Sequence, residues 1–197
     1  MDERILKAET IVFDVGNVLL DFDPQAVCDM LAPSHSRQLY PVLFGEMHLW
    51  AGFDLGAESN EAIARRAAQA AGIPDAWTDI IHILHHFHET MRPLPLYRLI
   101  PALKAMGKRL LALTNYPEPS FSLACQAFPH LQMLDGALVS SREKLVKPQS
   151  AIFQLLKERF ALIPEKTLFI DDLSANVQAA AGEGFRIWHY AGPDQIF

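Results

Sequence analysis

Cysteine is almost missing from this chain. There are two, Cys28 and Cys125, in unlike surroundings. That gives no basis for a disulfide framework or a cysteine-based zinc site, and it suits a reducing compartment. Clustered lysine and arginine are missing too, and the formal net charge is −6. Nucleic acid is therefore not expected as a partner, because a phosphate backbone is held by grouped cations. A small phosphate stays open, since one or two local cations can hold it. No apolar run approaches the roughly 20 residues that span a bilayer. Residues 1–9 (MDERILKAE) are charged and too short for a secretory signal. The expectation is a cytoplasmic protein that does not engage membranes.

What the chain does have is apolar mass. Half of its 197 residues are hydrophobic, enough for one sizeable core and a small second module. Five short runs read as strands: Thr10–Asp14, Arg109–Thr114, Gly136–Ser140, Thr167–Asp171 and Phe185–Tyr190. Their apolar residues are consecutive, as in strands covered by helices on both faces. Helical stretches over 96–106, 119–128, 149–160 and 174–181 accompany the later runs. Gly107 stops the first, Pro148 precedes the third and Ser174 caps the fourth. This spacing predicts an α/β fold: a Rossmann-like parallel sheet core with right-handed crossovers and helices on both faces.

Residues 24–92 break the rhythm. They contain no good strand and four amphipathic stretches, over 24–31, 36–44, 60–71 and 75–90, with a turn at Gly52–Gly56. Pro93 and Pro95 mark a return hinge. The expected organisation is a core from residues 1–22 and 93–197, with residues 23–92 as an inserted, all-helical cap.

Four motifs stand at the ends of these strands. Asp14 follows four apolar or β-prone residues, and a charge there costs several kcal/mol unless it is paired or metal-bound. Asp171 and Asp172 end another apolar run and precede a helix. Adjacent carboxylates raise one another's pKa unless a cation lies between them and the next anion, and such oxygen ligands suit Mg²⁺. Thr114 and Asn115 end a third run with a hydroxyl and an amide that can donate to phosphate oxygens. Lys147, just before Pro148, can neutralise an aspartate and a phosphate together. Each has a plainer reading: a strand end in water for Asp14, a helix cap for the acidic pair, a turn for Thr114-Asn115, a solvated loop for Lys147.

Taken in order, Asp-Val-Gly-Asn-Val, then Thr-Asn, then Lys-Pro, then Asp-Asp resemble the motif set of the haloacid dehalogenase superfamily of hydrolases. The Asp-x-Gly-Asn form resembles the sugar-phosphatase-like members, and the insert is similar to that family's helical cap. The resemblance implies roles. Asp14 would be the nucleophile that takes up a phosphoryl group. Thr114 and Asn115 would bind phosphate. Lys147 would steady the nucleophile and the transferring charge. Asp171 and Asp172, with Asp14 and the Gly16 backbone carbonyl, would hold Mg²⁺. The implied activity is a Mg²⁺-dependent phosphatase acting on a small phosphorylated metabolite such as a sugar phosphate. The alternatives are a metal-independent 2-haloacid dehalogenase and a non-catalytic binding protein of the same fold.

One departure matters. Most phosphatases of this family carry an aspartate two residues after the nucleophile, where this chain has Gly16. General acid–base help is worth about 10²–10⁴-fold. Asp21 and Asp23 lie nearby as alternative acids, and as solvated loop carboxylates otherwise. His48, Trp50 and Phe53 are the insert's candidates for substrate contact, or else part of its core. His82, His85 and His86 share one helical face, with His88 beyond, but lack the Glu or Cys partners of a zinc site.

Overall fold

The computed structural model describes residues 2–192. After a short helix α1 (Glu3–Lys7), strand β1 (Thr10–Phe13) starts a parallel sheet. Its other strands are β2 (Arg109–Thr114), β3 (Gly136–Val139), β4 (Thr167–Asp171) and β5 (Arg186–His189). The sheet order is β3-β2-β1-β4-β5, so β1 lies in the middle with β2 and β4 beside it. The register sets Phe13 opposite Ala112 on one side and Ile170 on the other. Asp14 therefore leaves the sheet between the ends of β2 and β4.

The consecutive apolar residues are explained by cover on both faces. Alternate residues point to opposite sides of a strand. Ile11, Phe13, Leu110, Ala112 and Ile170 join one buried cluster, and Val12, Leu111, Leu113 and Phe169 join the other. The second face carries α10 (Ser150–Phe160) through Ile152, Phe153 and Leu156. The first carries α7 (Pro95–Ala105) and α8 (Ser120–Ala127) through Leu96, Ile100, Leu103 and Phe121. This is the α/β, Rossmann-like layering expected from the spacing. A four-residue helix, α9 (Ser140–Glu143), follows β3, and α11 (Ser174–Gly182) follows β4.

Between β1 and α7 the chain is helical: α2 (Pro24–Leu31), α3 (Ser36–Leu43), α4 (Trp50–Leu55), α5 (Asn60–Ala70) and α6 (Trp77–His86), with 3₁₀ turns on either side of α6. The segments leading in and out lie side by side. Asp21 N–H donates to the Arg92 carbonyl at 2.9 Å, and Leu94 N–H to the Leu19 carbonyl at 2.9 Å. Val27, Leu39, Ile63 and Ile83 of these helices belong to the same buried cluster as the first sheet face. The insert thus packs onto that face without a separate core. No helix among the described residues is long and apolar enough to cross a membrane.

Two local readings change. The expected turn at Gly52–Gly56 is helix α4, ended by Gly56 in the left-handed conformation (φ 64°). A Cβ on Gly56 would lie 2.4 Å from the Ser141 carbonyl oxygen, so α4 ends hard against α9. Gly52 inside the helix speaks against it by propensity, and Gly56 marks its end; burial of Trp50 and Phe53 overrides the first. Ser174 is the first residue of α11 and not its cap. The cap position is Leu173, whose N–H is taken by Asp171 Oδ1 at 2.9 Å.

Candidate active site

The carboxyl ends of β1, β2 and β4 face one cleft of about 300 Å³. Open parallel sheets gather ligand sites at this edge. Asp14 stands there with one oxygen (Oδ1) accepting the Val15 N–H at 2.7 Å and the other (Oδ2) 2.9 Å from Lys147 Nζ. The same ammonium donates to Asp171 Oδ2 at 2.6 Å. All three groups are buried: Asp14 is 8 %, Lys147 4 % and Asp171 0 % exposed. Burial works against the lysine charge, but Asp14 and Asp171 outweigh it and hold its pKa above the ordinary value. Burial pushes the Asp14 carboxyl up to about 7, against the pull of Lys147 and with the push of Asp171.

The adjacent acids divide the work. Asp171 is used up inside the protein. Oδ1 accepts from the Leu173 N–H and from Asn176 Nδ2, each at 2.9 Å; Oδ2 accepts from Lys147 and, at 3.1 Å, from Asn176. A carboxylate has about four acceptor positions, and here all are taken. Asp172 instead lines the cleft, half-buried. Burial and the neighbouring Asp171 raise its pKa, and the Asn17 amide opposes the shift. Asp14, Asp171 and Asp172 each offer an oxygen, and the three lie within 4.8 Å of one another. The Gly16 carbonyl beside them accepts no hydrogen bond among the described residues. An all-oxygen set of this kind fits a hard divalent cation, with Asp14, Asp172 and the Gly16 carbonyl as the groups still free to hold it.

Asn115 sits beside this centre but is occupied. Its side-chain oxygen accepts the Lys147 N–H at 2.9 Å and its Nδ2 donates to the Lys147 carbonyl at 3.0 Å. The amide clamps the lysine backbone and keeps only one N–H in reserve. Thr114, 1 % exposed, has an enclosed Oγ1 with no hydrogen-bond partner.

Of the insert residues picked from sequence, His48 and Trp50 line the cleft. Phe53 does not; it is fully buried and packs edge-on to Trp50 at 5.6 Å. Much of the remaining lining is aromatic: Phe22, Phe44, Trp50, Phe87 and Tyr116, with Met91. Asp21 is exposed and off the cleft, and Asp23 caps α2 by accepting from the Gln25 and Ala26 N–H groups. The histidines stay on α6 and the turn after it. His86 pairs with Glu89 at 2.7 Å and stacks near His82 at 4.3 Å.

One cleft residue went unread in the sequence. Asp54 of α4 enters it from the insert. Its Oδ1 is enclosed and has no hydrogen-bond partner. Burial, then the charge of Asp14, push its carboxyl up to about 7, with Lys147 opposing. Its sequence signal is a lone acid beside the buried Trp50 and Phe53, which reading residues 52–56 as a turn hides.

The model of the haloacid dehalogenase-like hydrolases matches residues 8–184, a span that includes every group of this cleft. The chain belongs to that family. Among its relatives, this hydrolase is 24% identical over 177 residues to the sesquiterpene phosphatase astK of Aspergillus oryzae, covering 88% of this chain and 85% of the relative. In structure it is similar to a haloacid dehalogenase-family enzyme of Bacteroides thetaiotaomicron in complex with magnesium and inorganic phosphate. There the TM-score is 0.69 at 18% identity, over 92% of this chain and 93% of that one. It is also similar to the L-2-haloacid dehalogenase of Xanthobacter autotrophicus, with TM-score 0.67 at 18% identity, over 91% and 76% of the two chains. At such identities the structural likenesses speak for the fold alone.

Proposed function

We propose that this hydrolase removes phosphate from a small phosphomonoester with the help of Mg²⁺, through an aspartyl-phosphate on Asp14. The observation that carries the reading is the division of charge. Lys147 is locked between Asp14 and Asp171, while Asp172, touched by the Asn17 amide, and the Gly16 carbonyl still face the cleft. When bound, Mg²⁺ would neutralise the phosphate oxygens next to these carboxylates. Asp14, ionised, attacks phosphorus in line. Lys147 holds that carboxylate in place and adds positive charge where the transferring group gathers negative charge. Asn115, which lines the cleft, keeps one amide N–H for a phosphate oxygen, whereas Thr114 lies outside the lining with its hydroxyl enclosed. A 2-haloacid is itself an anion and, without a cation, would meet Asp14 and the free Asp172 together, which weighs against the metal-independent alternative.

The aromatic wall refines the substrate. It offers few hydrogen-bonding groups to a polyhydroxylated sugar and a broad apolar surface to a ring or hydrocarbon. Similarity to a sesquiterpene phosphatase points the same way. The substrate class we favour is therefore the phosphomonoester of a largely apolar alcohol, in place of the sugar phosphate expected from the sequence. The test is turnover of nitrophenyl phosphate with Mg²⁺, followed by a panel of prenyl, aryl and hexose phosphates. Loss of turnover with chelator and with Asp14→Asn is expected, as is preference for the apolar esters. No turnover across the panel overturns the reading; preference for hexose phosphates overturns its substrate half.

A further inference from the structure

We propose that Asp54, delivered by the insert, is the proton donor and acceptor that this hydrolase lacks at Gly16. The inference rests on the phosphatase reading and deepens it. Three observations carry it. Asp54 lines the same cleft as Asp14, Lys147 and Asp172. Its Oδ1 is enclosed yet unpartnered, unlike Asp171, whose four acceptor positions are filled. And its backbone is fixed. The fully buried Ser140 hydroxyl donates to the Asp54 carbonyl at 2.5 Å while accepting the Tyr116 N–H at 3.0 Å, one residue beyond Asn115. That bridge, with the close approach of Gly56 to Ser141, pins the carboxyl-bearing end of α4 to the sheet core. The acid is thus held at a set place in the cleft that Asp14 lines and does not ride on a loose surface helix.

The charged and titratable groups that share the cleft with Asp54 are Asp14, Lys147 and Asp172, with His48 and the Tyr116 phenol; Asp14 and Lys147 act on it most. Burial and Asp14 keep its proton on to about pH 7, the state a proton donor needs near neutrality. In the first step Asp14 forms a bond to phosphorus, the bond from phosphorus to the ester oxygen breaks, and the Asp54 proton passes to that oxygen to give the free alcohol. In the second step Asp54, now a carboxylate, takes a proton from water as the water oxygen bonds to phosphorus. The bond from phosphorus to Asp14 breaks, inorganic phosphate leaves and both aspartates return to their starting states. A purely structural Asp54 would slow all esters alike. A proton donor makes the rate insensitive to how basic the leaving oxygen is.

The wild-type protein with Mg²⁺ is assayed first on esters whose leaving groups range from nitrophenol to simple alkanols. A shallow dependence on leaving-group pKa is expected, and a steep one overturns the proposal. Asp54→Asn is then expected to cut alkyl ester turnover about 10²–10⁴-fold and nitrophenyl ester turnover far less. The ratio of the two rates does not depend on how much of the variant is folded. Equal loss on both, or no loss on either, overturns the role of Asp54 while leaving the phosphatase reading intact. Absence of wild-type turnover on every ester removes that reading, and this inference with it.

Discussion

The sheet and the insert build the cleft in opposite ways. The sheet brings charges that satisfy one another. Lys147 is shared by Asp14 and Asp171, Asn176 and the Leu173 N–H complete Asp171, and Asn115 holds the lysine backbone. The insert brings most of an apolar wall (Phe44, Trp50, Phe87 and Met91) and one carboxyl with an oxygen left unpaired, that of Asp54. The difference teaches where rigidity and where reactivity are placed. Paired buried charges fix geometry, because removing one partner strands the other; an unpaired acid keeps its proton and can give it away.

The contrast can be broken from the sheet side first. Asp14→Asn removes the proposed nucleophile and is expected to lower turnover at least ~10³-fold, measured by phosphate release, with little change in folding. Lys147→Met leaves Asp14 and Asp171 buried without their cation. It should cost about 3–5 kcal/mol in chemical denaturation as well as most of the activity. A smaller loss would mean that water reaches the pair.

From the insert side, Phe53→Ala and Trp50→Phe should separate packing from recognition. The first empties a fully buried site and should cost about 3–5 kcal/mol of stability while leaving the order of preferred esters unchanged. The second keeps an aromatic ring in place, so stability should change less, while the KM for bulky apolar esters rises.

Asp54 also makes a prediction about pH. Its folded pKa, about 7, lies above the ordinary 3.8. Between those values the folded chain binds more protons than the unfolded one, so stability falls as pH rises through that window. Asp14 acts with the same sign, so the comparison must be with Asp54→Asn. That variant should gain thermal stability relative to wild type at pH 8, with the gain fading towards pH 5. The smallest effect belongs to Asp23→Ala. It removes the α2 cap and should cost about 1 kcal/mol with turnover unchanged; lost turnover would return Asp23 to the acid–base candidates.

Five strands and the alternating helices were legible in the sequence because burial on both faces writes continuous apolar runs. Strand ends moved by one residue at most, as with β5 at Arg186–His189. The helix α4 was not legible, since its glycines argue locally for a turn and only packing against α9 and α5 argues for a helix. Site residues divided in the same way. Asp14, Asp171 and Asp172 stood out as charges at the ends of buried strands and Lys147 as a cation just before a helix; in the structure Lys147 pairs with Asp14 and Asp171, and the three carboxylates lie close together. Thr114 and Asn115 were found by the same logic, but the sequence could not show that Lys147 occupies the Asn115 amide.

By itself, then, the sequence determined the parallel sheet, the place of the insert in it and the carboxylates and lysine that meet at one edge. Those features are set by neighbours in the chain, through apolar runs and strand ends. Only the tertiary structure decided which carboxylate is used up and which is free, what the Asn115 amide holds, and that Asp54 reaches the cleft at all. Hydrogen-bond exhaustion and desolvation are set by groups tens of residues away, and no local pattern carries that information.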